Sequence, residues 1–172
     1  MKNVMVDLET LGNGSNAVII AIGAVEFDTE GGLGRGFYAN IDPQSCVNAG
    51  LVMDVSTVMW WMKQSDQARA AFDKPSTTLT EALKAFFEWY PAEANMWGNG
   101  ATFDNVILSN AYKAVGLNRP WPYWADRCYR SLKALRPDIA AARTGTHHNA
   151  LDDATTQATH AIQILKAMKG AQ

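Results

Sequence analysis

Residues 17–27, AVIIAIGAVEF, constrain the fold of this chain more than any other segment. They are β-branched and almost wholly apolar, so as a strand they have no face fit for water and predict a sheet covered on both sides. The flanking segments supply neighbours for such a strand. VMVDLET before it reads as a strand, Gly12 to Asn16 as a turn, and Gly36 to Ile41, after glycines 31, 32 and 34, as a third strand. Three strands in succession predict an antiparallel meander.

Helical spacing then takes over. Ser56 to Phe72 predicts one helix. Thr78-Leu79-Thr80-Glu81 fits a capping box, and Leu83, Phe86, Phe87 and Tyr90 continue at helical intervals. A short strand at Asn95 to Trp97 leads into Gly98-Asn99-Gly100. Helices are predicted over 103–115, ended by Gly116; over 129–135, closed by Pro137; and over 149–168, with Leu151, Ala154, Ala158, Ile162 and Leu165 as the apolar stripe. Strands followed by alternating helix and strand specify a mixed α/β fold, which we expect to occupy residues 1–172 as one domain.

Acidic residues stand where this pattern makes them costly. Asp7 and Glu9 lie two apart on a strand, so they share a face at the end of an apolar lead-in. Like charges held there repel, and a divalent cation is the simplest neutraliser. Hard carboxylate oxygens favour Mg2+ or Mn2+ over zinc, and Cys46 and Cys128 fit no metal-ligand spacing. Taken alone, a D-x-E pair is more often two solvated acids. Asp104, after Asn99-Gly100-Ala101-Thr102-Phe103, reads alone as a helix cap, with Phe103 as core or as a surface for a base. His148 precedes the last helix, with Asp153 little more than a turn beyond. Histidine suits general-base work near neutral pH. His147 and Asp152 have the same separation, but the apolar stripe sets Asp153 beside the buried face, so we take His148 with Asp153 and expect the other two to be solvated.

D-x-E, N-G-x-x-F-D and H-x-A-x-x-D, in that order, resemble the three motifs of the DEDDh (DnaQ-like) 3′–5′ exonuclease superfamily. VDLETLGNGSNAVIIAIGAVEFD, WWMKQSDQARAAF and WGNGATFDNVILSNAY are similar to its compact phage and bacterial branch, the exonuclease-VIII-like or exoribonuclease proteins. The resemblance spans nearly the whole chain. It implies a ribonuclease-H-like fold, a central mixed sheet flanked by helices. It implies that Asp7, Glu9, Asp104 and Asp153 hold two ions, Mg2+ or Mn2+, and that His148 is the general base. It also places Thr10, Leu11, Gly12, Asn99, Phe103 and Trp61 near the substrate, with Leu11 as an apolar wedge against the terminal base. Two ions roughly 3.5–4 Å apart suit an in-line phosphodiester hydrolysis. The implied substrate is single-stranded RNA or DNA with a free 3′ end, RNA being favoured, and the products are nucleoside 5′-monophosphates.

Other readings stay open at this stage: a phosphoesterase for very short oligonucleotides, and a catalytically idle nucleic-acid-binding module. The net charge of −2 does not advertise nucleic-acid binding. Residues 113–143, however, carry seven basic side chains against Asp126 and Asp138, interleaved with Trp121, Tyr123, Trp124 and Tyr129. Helix-surface charges and core aromatics explain that segment equally well. In Met59-Trp60-Trp61-Met62, adjacent tryptophans on a helix point about 100° apart, so one can enter the core while the other faces a ligand or a partner subunit. An exposed aromatic patch would suit a homodimer. With no apolar run long enough to span a bilayer, no leader pattern and two isolated cysteines, we expect a cytoplasmic protein without membrane contact.

Overall fold

Apolar residues from both faces of one twisted sheet build the interior, which the computed structural model describes over residues 2–73 and 76–170. The strands are β1 (Asn3–Thr10), β2 (Ile19–Asp28), β3 (Gly32–Asn40), β4 (Asn95–Gly98) and β5 (Asp126–Cys128), in the spatial order β3-β2-β1-β4-β5. β1, β2 and β3 form the expected antiparallel meander, whereas β4 pairs parallel to β1 and β5 parallel to β4. The sheet is therefore mixed and flanked by helices, as expected. Among the described residues no helix is long and apolar enough to cross a membrane.

The helices are α1 (Pro43–Asn48), α2 (Val55–Trp61), α3 (Asp66–Arg69), α4 (Leu79–Trp89), α5 (Asp104–Ala114), α6 (Tyr129–Ala134) and α7 (Ala150–Lys169). Val4, Val6 and Leu8 of β1 pack with Leu83 and Phe86 of α4 and Ile107 and Leu108 of α5. Met5 joins Ala154, Ala158, Ala161 and Ile164 of α7 and Tyr129 and Leu132 of α6 on the other face. Local caps set the helix starts. Thr78 and Glu81 exchange side-chain and backbone bonds as the predicted capping box. Asn149 Oδ1 accepts the amides of Leu151 and Asp152 to open α7.

Two glycines bring helix starts onto the sheet. A Cβ at Gly23 of β2 would lie 2.1 Å from the Ala150 carbonyl carbon, so only a bare backbone lets the first turn of α7 rest there. Gly23 pairs with Asp7, which puts that turn beside the acidic end of β1. On β4, a Cβ at Gly98 would stand 2.4 Å from Asn105 Oδ1 and 2.9 Å from Asp104 Cβ, and Gly98 pairs with Val6.

Several elements differ from expectation. The helix over 56–72 is broken: α2 ends at Trp61, and Ser65, extended at φ −62° and ψ 156°, caps a new start by accepting the Ala68 amide. β3 begins at Gly32 rather than Gly36, because the hairpin pairs Asp28 with Gly32 and Phe27 with Leu33. α1 and β5 were not predicted. α1 has a signal in Asp42-Pro43, where Asp42 caps and Pro43 takes the first turn. β5 is only Asp-Arg-Cys and forms because β4 offers a parallel edge. The aromatics of the basic segment divide: Trp121 and Tyr129 are core, whereas Tyr123 and Trp124 are exposed and stack edge to face.

Candidate active site

The C-terminal end of β1 carries Asp7 and Glu9 into the region where α5 and α7 begin. Glu9 is only 7% exposed and Asp104 only 3%. Asp104 is not a cap: Phe103 takes that position, and Asp104 opens α5 with Oδ1 accepting the Leu8 amide at 3.2 Å. That bond ties motif two to motif one. From α7, Gln157 Nε2 donates to Asp7 Oδ1 at 2.7 Å.

Asp153, one turn before Gln157 on α7, has both oxygens engaged. Oδ2 accepts the His148 amide at 3.1 Å, and Oδ1 pairs with Arg143 Nη1 at 2.7 Å. Ligand atoms of Glu9, His148 and Asp153 all lie within 4.8 Å of one another. His148 has φ +62°, a left-handed conformation that histidine tolerates better than most residues. Its ring meets Trp60 edge-on at 5.0 Å and Trp61 at 5.9 Å. His147 is exposed, as expected. Asp152, expected to be solvated, is half-buried instead and accepts the Thr146 amide at 2.8 Å.

The acids strain against one another. Burial, then the charges of Asp104 and Glu9, holds the Asp7 carboxyl well above its ordinary value, and the Gln157 bond opposes this. Burial, with Asp153 and Asp104 adding, pushes Glu9 up to about 8. Burial also raises Asp104, against the amide bonds it accepts and the Arg130 charge. His148 moves down from its usual 6.5 through burial and then the neighbouring His147, with Arg143 adding and Asp153 opposing. It is therefore mostly neutral at pH 7 and able to accept a proton.

Converging oxygen donors with raised proton affinity are the chemistry a hard divalent ion relieves. The buried Gln157 Oε1 also lacks a partner beside Asp7. Asp7, Glu9, Asp104 and Asp153 thus fit a Mg2+ or Mn2+ centre.

Two cavities open from this point. One, of about 380 Å3, is lined by Asp7, Glu9, Asn99, Tyr129, Lys133, Arg143, His147, His148, Asp153 and Gln157, among others. The other, of about 370 Å3, is lined by Leu8, Glu9, Thr10, Asn13, Ser56, Thr57, Trp60, Trp61 and Phe103. Leu8 and Glu9 belong to both. Of the residues expected near substrate, Thr10, Phe103 and Trp61 line the second cavity and Asn99 the first. Leu11 is buried in the core, and Gly12 forms a tight turn where a Cβ would meet Asp54 Oδ2 and Val52 O at 3.1 Å; neither lines a cavity. Trp61 is buried, its indole N–H donating to Thr10 O at 2.9 Å, and Trp60 is the exposed member of the pair.

Sequence reasoning missed Gln157 and the hydroxyls of Ser56 and Thr57 as lining residues; it left Trp60 and Trp61 open, and had Lys133 and Arg143 only as members of the basic segment 113–143. Gln157 had a signal, since it lies four residues after Asp153 and so on the same helix face. Arg143 had only its place in the basic segment, because it stands in irregular chain with no periodicity to aim it.

Comparison with known proteins gives a family and a fold. The family described as Rv2179c-like, the 3′-5′ exoribonuclease Rv2179c-like domain, matches residues 2–165. No curated protein matches the chain in sequence. Among solved structures, the nuclease domain of 3′hExo, a DEDDh family member, bound to rAMP, is similar with a TM-score of 0.67 and 15% identity, over 96% of this chain and 92% of that one. E. coli Exonuclease I in complex with a dA16 oligonucleotide gives a TM-score of 0.64 and 16% identity, over 98% of this chain and 41% of that one. At such identities these likenesses show the fold.

Proposed function

Because this chain belongs to the Rv2179c-like 3′–5′ exoribonuclease domain family, and so to the DEDDh 3′–5′ exonucleases, we propose that it removes nucleoside 5′-monophosphates from the free 3′ end of single-stranded nucleic acid, RNA before DNA. The observation that carries this reading is the convergence of Asp7, Glu9, Asp104 and Asp153, from three separate motifs, beside a mostly neutral His148.

Two divalent ions, when bound by the four carboxylates, supply a polarised water and charge stabilisation for the leaving 3′ oxygen. The protein's own groups do the rest. His148 takes the proton of the attacking water, its lowered proton affinity keeping it free to do so. Gln157 favours the charged form of Asp7 against the burial and the neighbouring acids that oppose it, and fixes its orientation. The aromatic cavity receives the terminal nucleoside: Trp60 and Phe103 offer faces for the base, while Thr10, Ser56 and Thr57 offer hydroxyls for the sugar. Trp61 supports this wall from beneath by holding Thr10. The polar cavity with Lys133 and Arg143 receives the phosphate.

The family description supports RNA, and the sugar-facing hydroxyls suit a 2′-hydroxyl. The two free cysteines suit a reducing compartment, and we place the reaction in the cytoplasm. The test is a comparison of matched 5′-labelled single-stranded RNA and DNA, and of a dinucleotide, with Mg2+, Mn2+ or EDTA. Metal-dependent ladders shortening from the 3′ end, faster on RNA, are expected. Cleavage of the dinucleotide alone would make the protein a short-oligonucleotide phosphoesterase, and no cleavage of any substrate would make it a binding module.

A further inference from the structure

Arg143 is the one basic side chain recorded in an ion pair with a carboxylate of the acidic cluster among the described residues. Its position is built rather than incidental. The irregular chain that carries it is pinned at both ends to α7, the helix that also carries Asp153. Upstream, His160 Nε2 donates to the Ile139 carbonyl at 2.8 Å, while the Tyr129 hydroxyl donates to His160 Nδ1 at 2.6 Å. Downstream, the Thr144 amide donates to Thr156 Oγ1 at 3.2 Å, and the Thr146 amide to Asp152. Between these anchors residues 140–143 are exposed. Among the described residues, 140–143 show no backbone hydrogen bond between these anchors, and the tip of Arg143 reaches the cluster.

The contact has a chemical consequence. Asp153 has two oxygens: Arg143 occupies one and the His148 amide the other. An ion that takes Asp153 as a ligand draws on the same carboxylate charge and sets two positive charges against the guanidinium, whereas the amide carries no net charge. The amide belongs to a backbone held by the start of α7, whereas the Arg143 side chain is 49% exposed, so water can take the place of the carboxylate when it leaves. Arg143 is therefore the partner that leaves. It lines the same cavity as Lys133, where a phosphate carries non-bridging oxygens that a guanidinium binds in forked geometry.

Resting on the reading of the site as a metal-dependent nuclease, we propose that Arg143 is a phosphate-positioning residue stored on Asp153: it neutralises that carboxylate before metal binds, is released by the metal, and then takes a non-bridging oxygen of the substrate phosphate. Metal and Arg143 thus compete for one carboxylate, and by linkage removal of the competitor tightens metal binding.

The experiment titrates Mn2+ alone into the wild-type protein, Arg143→Gln and Arg143→Lys, following free Mn2+ by electron paramagnetic resonance. It then titrates 5′-AMP into each protein at saturating Mn2+. Arg143→Gln is expected to bind Mn2+ about fivefold tighter or more than wild type, and 5′-AMP about tenfold more weakly. Arg143→Lys keeps the charge but not the fork, so it should lie near wild type for Mn2+ and between wild type and Arg143→Gln for 5′-AMP. A residue that merely braces the loop would give the opposite sign for the metal. Equal or weaker Mn2+ binding by Arg143→Gln, or unchanged 5′-AMP binding, overturns the proposal while the nuclease reading stands. A wild-type protein that binds no Mn2+ overturns both.

Discussion

Gln157 on α7 donates to Asp7 on β1 across 2.7 Å, joining residues 150 positions apart. Asp7 is raised by burial and by the neighbouring Asp104, Glu9 and Asp153, and this bond pulls it back towards its charged form. A hydrogen bond to a charged group contributes about 1.5–3 kcal/mol. Gln157→Leu should therefore lower kcat/KM by about tenfold or more and raise the Mg2+ concentration needed for half-maximal rate. If the residue only packs the helix, its loss would lower the melting temperature and leave the Mg2+ dependence where it was.

The buried acids make the metal-free protein a pH-sensitive one. Glu9 is pushed up to about 8 from an ordinary 4.5, so between those values the folded protein holds a proton that the unfolded chain has released. The Glu9 contribution to stability without metal therefore falls as pH rises from 4.5 to about 8 and is constant above that window; the raised Asp7 adds with the same sign, and the lowered His148 opposes it just below 6.5. Glu9→Gln removes the repulsion, so in EDTA at pH 8 it should melt at least about 3 °C above wild type. Saturating Mg2+ should reverse the trend in wild type, because the ligands must deprotonate to bind it. A metal-free melting temperature that climbed through this window would contradict the assignment of Glu9.

The two adjacent tryptophans should separate by experiment as they do in space. Trp61 is 3% exposed and bonded to Thr10 O, and Trp60 is 42% exposed against His148. Trp61→Ala should cost about 3–5 kcal/mol in urea denaturation. Trp60→Ala should leave stability within about 1 kcal/mol and instead raise KM for the oligonucleotide, because a stacked base contributes about 1–3 kcal/mol.

Gly23 sets the distance between α7 and β1. Its substitution by Ala would drive a methyl group to 2.1 Å from the Ala150 carbonyl carbon. Because the atoms met, Ala150 C and O and Leu151 N, are all backbone, the helix must lift, and overpacking of this kind costs about 1–3 kcal/mol or more. Gly23→Ala should lose metal affinity along with stability, whereas Gly14→Ala in the exposed turn should change neither.

Much of this was legible in the chain because it is local. Strand alternation placed Asp7 with Glu9, the capping box placed α4, and the apolar stripe of the last helix distinguished Asp153 from Asp152. What depends on the third dimension was not legible. β5 has three polar residues and exists because β4 leaves an edge. The break at Ser65 turns one expected helix into α2 and a separate short α3. Asp104 looks like a cap until the Leu8 amide is seen against it. Arg143 and Lys133 stand in the basic segment 113–143, but nothing in it singles them out from its other basic residues, and only the folded chain brings them to the acids. The choice between Trp60 and Trp61 is set by which side of α2 meets β1, which helix spacing alone leaves open.

The most direct measurement is the degradation of 5′-labelled single-stranded RNA by wild type, Asp7→Asn and His148→Ala, each with Mg2+ and with EDTA. Wild type should give a Mg2+-dependent ladder shortening from the 3′ end. His148→Ala should be slower by about 10²–10⁴-fold, the usual worth of a positioned base, and Asp7→Asn at least as slow. Wild-type rates in both variants would contradict the account, because the acids and the histidine would then not be the groups that cut.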